Sequence, residues 1–293
     1  MSDANLLILL STLSTGLIMG AIFSLVAAGV TIVYGCVWLP NASNGQFFLV
    51  AALLVWTFTS SLGWGSLAAS IAVILLGIAA AFLLEWILIR RLYDTPNRNV
   101  AYFVVTLGMT QIMSGIFSLT YAKWSDQFSL PPIISGMTMI GPLPVPNNRL
   151  LVMATSLVML ALLFSLLRYH PYGRALRAVF QNREAAALRG VNVKAIYKLS
   201  FVLGSTIIFL GGILFALAYS FDLTVAWTMS ITAFAIMIIG GPGSVLGALV
   251  VGMVFGFTQA IVSIFASPTA ATFSYLGAML IMLLLRPNGL FKR

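Results

Sequence analysis

Apolar runs long enough to cross a bilayer recur along almost the whole chain, and no soluble fold can bury so many of them. Bounded by charge, proline or glycine, they fall near residues 6–35, 46–62, 66–89, 100–121, 150–167, 199–221, 225–239, 243–265 and 272–285. A spanning helix needs about 20 apolar residues. Of the 293 residues, 61% are hydrophobic and 7% charged, whereas soluble domains carry roughly 25% charge. Mean hydropathy is +1.07. These features predict an all-α, polytopic membrane helical bundle of eight or nine spans, built as a single transmembrane domain over 1–293. They leave no room for a soluble catalytic domain. The start, MSDANLL, has no basic n-region and no small-residue cleavage site, so the first span is expected to be retained.

Charge distribution predicts orientation. Arg90, Arg91 and Arg98 lie in one polar segment, seven basic residues from Arg168 to Lys198 lie in another, and Arg286, Lys292 and Arg293 lie in the tail. Thirteen of the fifteen Lys and Arg thus fall in alternate connections, which the positive-inside rule assigns to the cytoplasm. The segment 122–149 keeps only Lys123 and Arg149, carries five prolines, and is expected outside. With nine spans the N-terminus is outside and the C-terminus cytoplasmic.

The segment Gly35 to Gly45, GCVWLPNASNG, is uncharged and broken by Pro40. It reads either as a cytoplasmic turn or as an unwound stretch at membrane depth. In the second case 20–34 and 46–60 are halves of one interrupted helix. Such backbone is tolerated only in protein or along a wet cavity.

Glu85 is the one ionisable residue inside a span, a turn or so before Arg90 and Arg91, and is expected to form an interfacial ion pair with water in reach. A coupling role is the alternative. His170 is the single histidine and Cys36 the single cysteine, so neither a catalytic His set nor a thiolate metal cluster can be built. No GxxxxGK[ST] loop occurs, so ATP cannot be bound in that manner. Small-residue pairs Gly16/Gly20, Gly243/Gly247 and Gly252/Gly256 are expected to pack helices within the chain. Residues Arg174 to Arg189, followed by Gly190, predict a short helix with a glycine stop.

Four segments in order carry a resemblance: GAIFSLVAAGVTIVYGCVWLPNASNGQFF at 20–48, PYGRALRAVFQNREAAALRGVN at 171–192, GGPGSVLG at 240–247, and the ending RPNGLFKR. Together they resemble the permease subunits of branched-chain amino acid ABC importers, closest to the H-type of the two paired subunits. The resemblance implies a multi-pass protein of a bacterial inner membrane, a second permease subunit in a heterodimer, two ATP-binding cassette subunits and an external solute-binding protein. No cofactor is expected on this chain, ATP and Mg residing in the partner ATPases, and no nucleic acid partner is implied.

In the same comparison Arg174, Arg177, Glu184, Ala185, Ala186, Arg189 and Gly190 correspond to the EAA-type coupling element within the cytoplasmic segment 168–198. Tyr34, Asn41, Ser43, Asn44 and Gly45, with Gly240, Gly241 and Gly243 from the second glycine-rich break, are the expected lining of the path. Transporters often join interrupted helices from inverted repeats at such a site. The family's usual Asn-Phe-Ala-His-Gly appears here as Asn41-Ala42-Ser43-Asn44-Gly45. Asn44 in the His position cannot titrate near neutral pH, and Ala42 removes a ring. Urea, short amides and aromatic acids, carried by relatives in the superfamily, therefore stay open beside branched-chain amino acids. An autonomous carrier or channel is the competing class, and it would depend on Glu85.

Overall fold

The computed structural model describes residues 3–37, 41–93, 97–123, 127–286 and 289–291. Pro40, Asp126, Lys292 and Arg293 lie outside them. The first long helix, α1, covers Asp3–Val37 without interruption, and α2 covers Asn44–Ser60. Residues 20–34 and 46–60 are therefore parts of two helices, not halves of one. Next, α3 (Ser66–Leu84) continues through a π-helical turn, Glu85–Ile89, into α4 (Arg90–Leu92), and α5 spans Arg98–Tyr121. The proline-rich segment, expected only as a loop, holds a hairpin of β1 (Met137–Ile140) and β2 (Leu143–Pro146). Its two-residue connection begins with Gly141 at φ +62°, the position where such turns favour glycine.

After it come α6 (Asn147–Tyr169), α7 (Pro171–Gln181), α8 (Arg183–Leu188), α9 (Val193–Ala218), α10 (Val225–Gly240), α11 (Val245–Phe265) and α12 (Pro268–Leu285). Among the described residues, six helical stretches are long and apolar enough to cross a membrane, and three shorter apolar helices accompany them. The bundle is organised around α1 and α9. Each is 89% buried over its apolar window, whereas the spans of α3, α5 and α6 are 28%, 17% and 22% buried and present leucine, isoleucine and valine outward. A helix apolar all round belongs inside, and in lipid close contact comes from small residues. A Cβ at Gly20 would stand 2.9 Å from the Met253 Cα, Gly256 lies on the Gly16 and Gly20 backbone, and Gly252 lies on Ser24. The pairs Gly16/Gly20 and Gly252/Gly256 thus clamp α1 to α11 inside one chain, as expected, while Gly247 packs on Gly240 of α10.

The chain is an inverted repeat. Helix α9 ends 181 residues after α1, α10 begins 181 residues after α2, and α11 ends 181 residues after α3. Along the central pair, Val26 packs on Gly211 while Gly29 and Val33 pack on Gly204, so α1 and α9 run antiparallel. Each unit is a long helix, a break, and a short helix. Gly45 on α2 rests against the Ala226 carbonyl of α10, where the two breaks meet. From there α2 runs toward the hairpin end, placing Trp56 4.9 Å from the Phe128 ring, and α10 runs toward the basic end.

Glu85 has the expected cationic surroundings but is more buried than expected. It is 2% exposed, within the π-helical turn, and its Oε2 has no hydrogen-bond partner. The charges acting on it are those of Lys198 and Arg90. The π turn thus holds this carboxyl buried on the side that carries Lys198 of α9.

Candidate functional site

Two groups of buried contacts occupy the places where the repeat units are joined. The first surrounds the start of α2. Asn41 folds its Oδ1 onto the Ser43 N–H at 2.9 Å, an Asx turn, and the Ser43 hydroxyl donates to the Thr106 carbonyl of α5 at 2.7 Å. The Ala42 N–H donates to Thr106 Oγ1 at 3.3 Å. Asparagine and serine favour such local bonds over helix continuation, which is why the helix begins only at Asn44. Gln46 Nε2 reaches Ser114 Oγ at 3.5 Å. Three further amide atoms, Asn41 Nδ2, Asn44 Oδ1 and Gln46 Oε1, are buried without partners among the described residues. Such groups are costly unless something polar meets them. They supply one donor and two acceptors beside an α-helix N-terminus, an arrangement suited to a small polar solute or ordered water.

The opposing break is built differently. Asp222 Oδ1 accepts from Thr224 N, Thr224 Oγ1 and Val225 N at 2.9, 2.6 and 3.2 Å, capping α10 with a carboxylate that is partly exposed. The reading from sequence missed Asp222, Thr224, Thr106 and Gln46. An Asp-x-Thr before an apolar run is a helix-start signal, so the second break was detectable.

The second group lies at the basic end. Gly240, Gly241 and Gly243, expected beside Asn41, are instead gathered here: Gly241 and Gly243 take φ of +96° and +82°, and Gly247 packs on Gly240. The Phe180 ring of α7 lies 2.8 Å from the Cβ position of Gly35 and 2.9 Å from that of Gly243. A Cβ at Gly35 would also stand 2.9 Å from the Gly243 Cα, so the two glycines are close neighbours. The two glycine-rich segments therefore do meet, but under α7 and not at the buried amides. The tail closes over them, Gly289 on Gly241 and Leu290 N–H donating to the Ile239 carbonyl at 2.8 Å. Tyr34 sits on the last turn of α1, partly buried against the core.

The coupling segment is two helices where one was expected. Asn182 is extended (φ −158°, ψ 108°), and its Oδ1 accepts from the N–H groups of Glu184 and Ala185, both at 3.0 Å, starting α8 anew. Helix α8 ends in a Schellman motif: Gly190, at φ +83°, donates to Ala187, and Val191 donates to Ala186. Arg174, Glu184, Ala185, Arg189 and Leu188 face outward, while Ala186 is buried. Arg177 turns back to the carbonyls of Leu167 and Arg168, tying α7 to α6.

Membrane helices joined as an inverted repeat, with a capped helical pair standing off one end, define a transport permease. A family model for the permease component of branched-chain amino acid transport systems matches residues 12–285, and the chain belongs to that family. It is similar to LivH, the high-affinity branched-chain amino acid transport system permease protein of Escherichia coli K12, 25% identical over 97% of this chain and 96% of that protein. BraD of Pseudomonas aeruginosa, of the same description, is 26% identical with the same coverage. The solved structure of PsaBC from Streptococcus pneumoniae in complex with Fab aligns with 94% of this chain and 91% of its own at TM-score 0.48 and 13% identity. The protein is a multi-pass membrane subunit of an ABC importer and works with other ABC transporter components.

Proposed function

We propose that this permease forms half of a translocation path for branched-chain or related hydrophobic amino acids across a bacterial inner membrane. It pairs with a second, non-identical permease subunit, two ATP-binding cassette subunits and an external solute-binding protein. ATP and Mg belong to the cassette subunits. The basic end, with the C-terminus, is cytoplasmic. Solute passes the buried amides of Asn41, Asn44 and Gln46 where α2 and α10 meet. The named relatives, described as branched-chain amino acid permeases, support the solute class.

The observation that carries the reading is the seating of Phe180 on the neighbouring Gly35 and Gly243. A ring seated on two glycines has little freedom, so displacement of α7–α8 by a closing ATPase dimer is transmitted to the end of α1 and the start of α11. Those helices are clamped to each other along their length, and α1 is antiparallel to α9, so both repeat units receive the movement.

The test is purification of the tagged chain in mild detergent with identification of the co-purifying subunits. ATPase activity is then measured with and without solute and binding protein. Recovery of two cassette subunits and a second permease, with stimulation by leucine, isoleucine or valine, is the expected result. A chain that purifies alone and moves solute into liposomes without ATP would remove the proposal.

A further inference from the structure

At the hairpin end, away from the buried amides, a cavity of about 310 Å³ opens between the middle of α1, the segment after residue 127 and the last turn of α9. This volume is at the small end of ligand pockets. Its wall is two-sided in chemistry: Met19, Leu130 and Phe215 are apolar, whereas Arg149, Ser129 and Ser220 are polar.

Arg149 is held in place. Its neighbour Asn148, 5% exposed, donates to the Leu217 carbonyl and accepts from Ile133 N–H at 3.0 Å, pinning the first turn of α6 to the end of α9. The Arg149 Nε donates to the Ala218 carbonyl at 3.2 Å, and its guanidinium stands 4.8 Å from the Tyr219 ring centre. Those contacts engage one nitrogen and one face. The two terminal nitrogens have no hydrogen-bond partner, and no carboxylate pairs with Arg149 among the described residues. The Tyr219 hydroxyl, also on the cavity wall, is buried without a partner. Burial pushes this phenol up to about 12 despite the adjacent Arg149 charge, so it stays a neutral donor.

An oriented guanidinium with its fork free is the group that best matches a carboxylate, through two parallel N–H···O bonds. A half-apolar cavity beside it suits a short hydrocarbon chain. We infer that this cavity receives the carboxylate of a small amphipathic solute at the outer mouth, Arg149 reading the carboxylate and Met19, Leu130 and Phe215 holding the apolar part. The inference rests on the orientation and solute class proposed above. It makes the permease itself selective for monocarboxylates, in addition to any selection by an external protein.

The test uses the purified full complex in nanodiscs, without binding protein, and three radiolabelled probes of similar shape. L-leucine and isovalerate keep the carboxylate, and L-leucinamide lacks it. Leucine and isovalerate are expected to bind saturably and leucinamide roughly ten- to a hundred-fold more weakly, the range for a charge-assisted hydrogen bond. Arg149→Gln should remove that discrimination and Arg149→Lys should retain part of it. The probe series on the unaltered protein stands even if a variant misfolds. Equal binding of leucinamide and leucine, or no binding by any probe, overturns the inference. So does an Arg149→Gln protein that keeps probe discrimination and loses only affinity for the binding protein, since the carboxylate met by Arg149 would then be that protein's. Binding-protein-stimulated ATPase in the same preparation reports separately on the proposed function.

Discussion

The two repeat units share a backbone plan and differ in the chemistry of their breaks. In the first, the turn leading into α2 is held by a buried, uncharged amide, Asn41, 2% exposed, with spare polar atoms around it. In the second, the cap is the Asp222 carboxylate, partly exposed and saturated on one oxygen by three donors. A carboxylate can cap a helix where water reaches it and is expensive where it does not. The exposure of each break therefore bears on whether an amide or a carboxylate can hold its turn. The duplicated framework supplies two helix starts at one point, and only the dry one is left with unmet hydrogen-bonding capacity.

The sharpest break of this comparison is at the contact between the units. A side chain at Gly45 would enter the Ala226 carbonyl, which is backbone and cannot step aside. Gly45→Leu is expected to cost roughly 3 kcal/mol or more and to separate α2 from α10. Size-exclusion chromatography and thermal melting should show aggregated or much less stable protein. Gly108→Leu is the matched control, because Gly108 has open space around it.

Exchanging amide and carboxylate at these two turns tests whether exposure governs the choice. Asn41→Asp places a carboxylate in the buried break, with an expected loss of about 2 kcal/mol or more and of transport. Asp222→Asn keeps a good cap in the wetter break and should change stability by only about 0.5 kcal/mol. Melting temperatures of the two variants, measured side by side, check the asymmetry; equal effects would mean that the breaks are equivalent.

Phe180 touches both units at once, Gly35 from the first and Gly243 from the second. Its ring is only half-buried, so Phe180→Ala should cost about 1–2 kcal/mol. Its larger expected effect is on coupling: uptake falls roughly tenfold while basal ATPase activity of the assembled complex persists. Parallel loss of both activities would assign Phe180 to assembly.

Much of this architecture was legible in the sequence because hydrocarbon leaves the backbone few choices. Apolar length and basic alternation marked nearly every helix and its end, and the glycine pairs marked close packing within the chain without saying which helices meet. Which break faced which was not legible. Gly35–Gly45 and Gly240–Gly247 look alike as glycine-rich strings, but Asn41 pairs by position with Asp222, a residue that resembles an ordinary loop charge. The π turn at Glu85 was equally invisible, since it depends on how α3 packs on α9. The split of the coupling segment at Asn182 depended on one asparagine taking an extended conformation inside a run of good helix formers.

Gly190 stands outside both units and isolates the coupling segment from them. Its φ of +83° closes the Schellman motif, so Gly190→Ala should cost about 1 kcal/mol through backbone strain alone. No atom lies within 4 Å of its Cβ position. Gly190→Trp therefore meets the same backbone strain and no clash within the chain, and the two variants should melt within a few degrees of each other. If α8 docks in a groove of an ATPase subunit, they must diverge in the assembled importer. Alanine should leave most uptake intact, whereas tryptophan should abolish uptake and weaken recovery of the ATPase at normal permease abundance. Equal uptake by both would place the ATPase contact elsewhere on the basic end.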